Sequence, residues 1–210
     1  MHFGQVGQAD EPPDLFGRAI HLDIELHGAN SLEPFANTLH LCAMRRPTAT
    51  ARVESPLGAL LLTADDAHLI GIRVPRPGDA GATSGDLDHP VIVATARQLT
   101  AWFQGEIQAF DLPLAPAATE EATLLRRAIS DIPYGNTMTY GDVAARCGSI
   151  ARAVGGACKA NPFPIVVPCH RVTSAAGPEF YSAGDGPRTK SWLIDFEYSN
   201  LPPDQRTRLL

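Results

Sequence analysis

Three prolines within seven residues, Pro162, Pro164 and Pro168, punctuate the most constrained stretch of this 210-residue chain. Proline has no N–H and a fixed φ, so a helix cannot run through residues 162–168 and any strand there must be short. Ile165, Val166 and Val167 lie between the prolines, and their apolar run predicts a short buried strand that stops at Pro168. Cys169 follows at the strand end, then His170 and Arg171. Strand ends carry reactive groups into clefts on rigid support. The thiolate is the nucleophilic form of cysteine, and a cationic or basic neighbour lowers its pKa. The pattern therefore points to Cys169 as an activated sulfur nucleophile, against the alternative of a structural cysteine beside a surface histidine.

The flanking segments read as helices. Leu124, Leu125, Ala128 and Ile129 form one apolar stripe, ended at a turn over Ile132, Pro133, Tyr134 and Gly135. Thr139 suits the N-cap of a short helix running to Ala145. Gly148 and Ser149 break the chain, and a second short helix spans 150–159 before Asn161 and Pro162. Two short helices around a tight glycine turn suggest a helix-turn-helix, or simply two packed helices. A closing helix over 187–198 turns Trp192, Leu193 and Phe196 inward.

Upstream, residues 50–115 read as a mixed α/β unit. A turn at 55–58 precedes strands at 59–63 and 69–74, joined through 64–67. Residues 75–90, rich in Pro, Gly and Asp, form a loop. A helix over 91–105 buries Val91, Ala94, Leu99, Trp102 and Phe103, and a strand follows at 110–114. Alternation from Ala19 to Leu26 predicts a short strand within an N-terminal extension of no assigned role. The expected fold is α+β: a mixed α/β N-terminal domain with a small antiparallel sheet, then a mostly helical C-terminal domain. The expected boundaries are 1–47 for the extension, 48–117 and 118–199 for the two domains, and 200–210 for a tail.

Charge refines the functional classes. The net charge of -6 opposes indiscriminate nucleic-acid binding. Residues 123–172, however, carry 6 basic and 2 acidic side chains, a local +4 that fits a DNA footprint. No apolar run approaches the ~20 residues of a membrane span, and no basic head with an apolar stretch marks a secretory signal. The four cysteines, Cys42, Cys147, Cys158 and Cys169, form no C-x-x-C pair. With the histidines scattered, they are expected to be reduced thiols in the cytosol rather than zinc ligands or disulfides. No metal or cofactor is expected.

The stretch from Asn161 to Val172 resembles the active-site motif of the O6-alkylguanine-DNA alkyltransferases, the methylated-DNA–protein-cysteine methyltransferases, in which Asn-Pro-x-Pro and Pro-Cys-His-Arg-Val form one signature. The resemblance extends to Ile132 through Ala144, similar to the family's entry to its helix-turn-helix. It takes in Ala151, Arg152, Ala153, Val154, Gly155 and Gly156, similar to its recognition helix, and Ser55 to Gly58, similar to its first hairpin. It covers roughly residues 50–198.

The resemblance implies single-turnover DNA repair: transfer of an alkyl (methyl) group from O6-alkylguanine in double-stranded DNA to Cys169 by a monomer. It further implies that His170 acts through a water as base, oriented by Glu197, and that Asn161 braces the active-site turn. Tyr140 would press on the target phosphate and help protonate the departing guanine. Arg152 would fill the stack vacated by the flipped nucleotide, with Ala151, Gly155 and Gly156 close to the backbone in the minor groove. Tyr181, Ser182, Pro164 and Val172 would line the guanine pocket, and Lys190 would support its loop.

The sequence departs from the family pattern at four places. The turn from Gly148 to Ala151 is two residues shorter. Glu121, Ala122, Leu125 and Arg126 replace the usual Phe-Gln and Val-Trp pairs. The pocket loop has Phe180 before Tyr181 and Ala183 after Ser182, where glycines are usual. Two extra residues separate Tyr181 from Lys190. Two competing readings follow: a protein that binds alkylguanine without repairing it, which Cys169 opposes, and a Cys-His hydrolase, for which the chain shows no acyl-transfer elbow.

Overall fold

The computed structural model describes residues 49–76, 85–177 and 179–206. The strand expected within 19–26 and the tip of the loop expected over 75–90 lie outside the described residues.

Three antiparallel strands, β1 (Ala49–Val53), β2 (Leu60–Ala64) and β3 (Leu69–Arg73), form a sheet in sequence order. The sequence reading had no β1. Its inward residues Ala49 and Ala51 are small, so its period of two is faint until β2 pairs with it. Ser55 and Gly58 close the first hairpin by exchanging backbone hydrogen bonds of 3.1 and 2.9 Å. Asp65 makes the second turn, its carboxylate accepting from the Ala67 and His68 N–H groups at 2.9 and 2.7 Å.

Helix α1 (Pro90–Phe103) starts on a proline and covers the sheet. It buries Val91, Ile92, Thr95, Ala96, Leu99, Trp102 and Phe103, while Ala94 is only half-buried. The strand expected at 110–114 is reduced to one bridge between Leu69 and Leu114. Pro113 accepts from the Leu69 N–H at 2.7 Å but has no N–H to return, so the ladder stops there.

Helix α2 (Glu120–Ser130) is capped by Thr119 and buries Leu125 and Ile129; Leu124, expected inside, is 46% exposed. Strand β4 (Met138–Thr139) leads into α3 (Tyr140–Arg146), whose N-cap Thr139 accepts from the Asp142 N–H. Gly148, at φ +63°, turns the chain into α4 (Ala151–Lys159), which packs against α3. Strand β5 (Val172–Thr173) pairs parallel to β4, and α5 (Pro187–Ser199) closes the fold. Trp192 and Phe196 stack with centroids 5.1 Å apart and meet Trp102 and Phe103 of α1. Among the described residues, no helix is long and apolar enough to cross a membrane.

The expected strand at 165–167 is instead a tight turn. Val167 donates to the Phe163 carbonyl at 2.8 Å, and Ile165 adopts φ +76°. Prolines at 162, 164 and 168 remove the donors a ladder would use, so the buried apolar run curls upon itself. Cys169 then donates its N–H to the Val167 carbonyl at 2.8 Å across Pro168 (φ -81°, ψ 60°), an inverse γ-turn. This turn feeds a single 3₁₀ turn over Cys169–Arg171.

Candidate active site

Asn161 organises the turn that presents Cys169. Its Oδ1 accepts from the Phe163 N–H at 3.0 Å, and its Nδ2 donates to the Val167 carbonyl at 2.9 Å and to the Cys169 sulfur at 3.1 Å. Strand β3 holds the same loop from behind, where the Ile72 N–H donates to the Pro162 carbonyl at 2.8 Å.

His170 and Glu197 are wholly buried, with His170 Nε2 and Glu197 Oε1 2.8 Å apart. Arg171 Nε reaches Oε2 of Glu197 at 2.9 Å, Nη2 reaches Oε1 at 2.9 Å, and Nη1 donates to the Ile132 carbonyl at 2.6 Å. The Gly135 N–H adds a bond to Oε2 at 3.0 Å. Burial alone would raise the Glu197 pKa, but the bonds and charges of His170 and Arg171 outweigh it and hold the group below the usual carboxylate range. An ionised carboxylate only accepts, so His170 Nε2 carries the proton. Burial also lowers the His170 pKa, against the pull of Glu197. The ring is thus a neutral imidazole whose Nδ1 is an acceptor, with no hydrogen-bond partner among the described residues.

The electrostatics of the sulfur reverse the sequence expectation. Burial raises the Cys169 thiol pKa, outweighing the Asn161 donor and the Lys190 charge. Arg171, the expected cationic neighbour, is committed to Glu197. Cys169 therefore rests as a protonated thiol, and a base must take its proton as the sulfur attacks.

A cleft of about 620 Å³ opens on Cys169, lined by Tyr140, Ala151, Gly155, Cys158, Lys159, Glu179, Phe180, Tyr181 and Ser182. That size suits a small-molecule or base-sized ligand. A smaller cavity of about 150 Å³ reaches from Cys169 to β3, lined in part by Ile72, Val74, Pro164 and Ala183. The ring of Tyr181 is half-buried; its hydroxyl is enclosed beside the sulfur without hydrogen-bond geometry to any described residue. Lys190 is fully buried; its Nζ donates to the Phe180 carbonyl at 2.9 Å and sits 5.7 Å from the centre of the Tyr140 ring. Arg152 and Gly156 are exposed on α4, outside the lining of either cavity. Val172 is fully buried in β5 and lines neither cavity.

Sequence reasoning missed several contributors. Arg171 was counted as a surface-type cation, yet its guanidinium is internal, and Arg126 is partly buried, donating to the Ala115 carbonyl at 2.7 Å and lying 5.0 Å from the Phe163 ring centre. Four cations of the basic stretch stay exposed: Arg127, Arg146, Arg152 and Lys159. Cys158 and Glu179 were not assigned to the cleft; nothing in their local sequence marks them, because the fold alone brings α4 and the 179–186 loop around Cys169. Among the described residues, no cluster of three His, Cys, Asp or Glu side chains offers a metal site.

Comparison with known proteins gives the same frame. Residues 49–116 match a family model described as the ribonuclease-like domain of 6-O-methylguanine DNA methyltransferase, and residues 123–199 match the DNA binding domain of that protein. A methylated-DNA–protein-cysteine methyltransferase of Methanosarcina acetivorans is 37% identical over 150 residues, 70% of this chain and 96% of the relative. One from Mycolicibacterium paratuberculosis is 38% identical over 153 residues, 71% and 92% of the two chains. The crystal structure of the O6-methylguanine methyltransferase of Mycobacterium tuberculosis superposes with a TM-score of 0.62 at 33% identity, covering 75% of this chain and 97% of that one. The structure of that organism's protein in complex with DNA gives 0.61 at 33% identity, with the same coverage. The chain belongs to the methylated-DNA–protein-cysteine methyltransferase family.

Proposed function

We propose that the protein repairs DNA by moving the alkyl group of O6-alkylguanine onto its own Cys169, once per chain. The observation that carries this reading is the placement of a buried thiol at a base-sized cleft, with the His170–Glu197 pair beside it and α4 along its edge. An alkylated oxygen within a duplex is out of reach, so the nucleotide flips into the cleft. Helices α3 and α4 act as a helix-turn-helix, with Ala151, Gly155 and Gly156 against the DNA backbone and Arg152 in the vacated stack. Residues 48–117 serve as a supporting domain and 118–199 as the reactive one.

In the chemical step a C–S bond forms at Cys169 while the C–O6 bond of the guanine breaks. The thiol proton passes to His170 Nδ1 through one bound water, with Glu197 stabilising the imidazolium that results. Tyr140 donates toward the departing guanine, whose negative charge this neutralises. The thioether has no leaving path, so the chain is consumed. We place the protein in the cytosol as a monomer acting on double-stranded DNA.

The test is transfer of a labelled methyl group from methylated duplex DNA. One methyl group per chain, mapped to Cys169, is the expected result. Binding to the lesion without transfer would replace this reading with that of a lesion-binding protein, and repeated turnover would exclude a suicide reaction.

A further inference from the structure

Cys158 is a second thiol in the chamber of Cys169. Both line the large cleft and both line the small cavity behind it. Asn161 ties the two together: its backbone N–H donates to the Cys158 carbonyl at 3.4 Å, while its side chain donates to the Cys169 sulfur at 3.1 Å. Tyr140 and Tyr181 border the same cleft as the two sulfurs, and the Lys190 ammonium opposes the burial that raises both thiols. Cys147 differs; its thiol bonds back to the Val143 carbonyl of its own helix at 3.3 Å.

We infer that Cys158 is a resolving thiol for Cys169, closing a reversible disulfide when peroxide oxidises the reactive sulfur. In the first step the Cys169 thiol attacks hydrogen peroxide; the sulfur loses two electrons to become a sulfenic acid, and the peroxide is reduced to water. In the second, the Cys158 thiol attacks that sulfenic sulfur, and a second water leaves as the S–S bond forms. A dithiol reductant reverses the bond by exchange, restoring both thiols. Without a partner thiol, Cys169 would go on to sulfinic acid, which a thiol does not reverse. In a chain whose sulfur works once, that oxidation would discard an unused molecule.

The structure also sets the limits of this device. Burial pushes the Cys158 thiol up to about 12 and raises Cys169 as well, so neither sulfur is a ready thiolate and the pair closes only under excess oxidant. Cys158 lies in the last turn of α4, and the crosslink requires its Cα and that of Cys169 to come within the roughly 7 Å a disulfide spans.

The full chain is treated with hydrogen peroxide, quenched, and followed by intact mass, peptide mapping and labelled methyl transfer before oxidation, after it and after dithiothreitol. The wild-type chain is expected to lose two hydrogens, to yield a crosslink between the peptides of Cys158 and Cys169, and to regain its own starting transfer on reduction. Cys158→Ser is expected to gain oxygen at Cys169 and to regain on the order of tenfold less of its own starting activity. Oxygen gain at Cys169 in the wild type, or a crosslink that maps to Cys42 or Cys147, overturns the inference. It rests on Cys169 being the reactive sulfur, which the transfer measured before oxidation reads separately.

Discussion

The Asn161 side-chain amide donates to the Cys169 sulfur at 3.1 Å while its carbonyl oxygen accepts from the Phe163 N–H, so one side chain shapes the turn and faces the nucleophile. The two functions separate by mutation. Asn161→Ala removes both and should cost about 1–3 kcal/mol of stability by leaving the Phe163 N–H without a partner and the Val167 carbonyl with the Cys169 N–H alone. Asn161→Asp keeps the acceptor for Phe163 but sets a carboxylate against the developing thiolate. It should unfold closer to wild type than Asn161→Ala in denaturant, yet lose methyl transfer by roughly 100-fold or more. If Asn161→Asp transfers as well as wild type, the amide does not act on the sulfur.

Glu197 faces His170, Arg171 and Gly135 together, so its charge matters more than its shape. Glu197→Gln leaves the Arg171 guanidinium buried without a counter-charge, which should cost about 3–5 kcal/mol at pH 7. The folded pKa of Glu197 is depressed, so its stabilisation is present above the unfolded carboxylate value of 4.5 and is lost as pH falls through the lower folded value. The stability gap between wild type and Glu197→Gln should therefore narrow only in acid below pH 4.5. His170, held neutral by burial, imposes a second trend. The unfolded ring takes up a proton near 6.5 and the folded ring does so only lower, so stability also declines below pH 6.5. Denaturation midpoints across pH in the wild type, Glu197→Gln and His170→Gln check both signs. The transfer rate should follow the neutral ring and fall only below pH 6.5, and a fall beginning above that value would contradict the assignment.

The legibility of this chain in its sequence followed the range of the forces involved. The N-cap at Thr139, the turn at 55–58 and the amphipathic part of α1 depend on neighbours within a few residues, and they could be read locally. The stretch 165–167 could not, because its composition is that of a strand and only the missing donors of three flanking prolines decide for a turn. The site divides in the same way. Cys169 and His170 announce themselves in one contiguous motif. The commitment of Arg171 to Glu197, across 26 residues, and the arrival of Cys158 beside Cys169 depend on packing, which carries no periodic trace. The local excess of positive charge was real as a sum but overstated as a surface, since Arg171 lies in the core.

Arg152 stands exposed in the first turn of α4, one residue beyond the cleft-lining Ala151, even though the turn from Gly148 is short. It makes no contribution to the cleft itself, so its proposed part is with the duplex. Arg152→Ala should reduce transfer from methylated duplex DNA by on the order of tenfold to 100-fold, because extrusion of a base costs a few kcal/mol and a free base avoids it. Transfer from a free alkylguanine should stay within about twofold of wild type. Equal losses on both substrates would place the residue in folding or in the pocket instead.

The pocket loop gives the last test. Ala183 lines the small cavity between Cys169 and β3, where the family pattern has glycine, and its methyl group narrows the space behind the sulfur. The next residue, Gly184, is at φ +55° and donates to the Val74 carbonyl at 3.3 Å; a Cβ there would meet Thr189 Oγ1 at 2.6 Å. The loop is therefore fixed at 184 by backbone geometry and limited at 183 by side-chain bulk. A benzyl group on the guanine oxygen needs room beyond the sulfur that a methyl group does not. Methylated DNA should react faster than benzylguanine, and Ala183→Gly should narrow that ratio by roughly tenfold, the effect of about 1.4 kcal/mol of relieved crowding. Gly184→Ala, by contrast, should depress both rates together and lower the unfolding midpoint, because it displaces the whole loop rather than enlarging the cavity. The measurement is the pair of second-order rate constants for each substrate in the three proteins. A benzyl-to-methyl ratio that Ala183→Gly leaves unchanged would show that the alanine methyl does not limit adduct size.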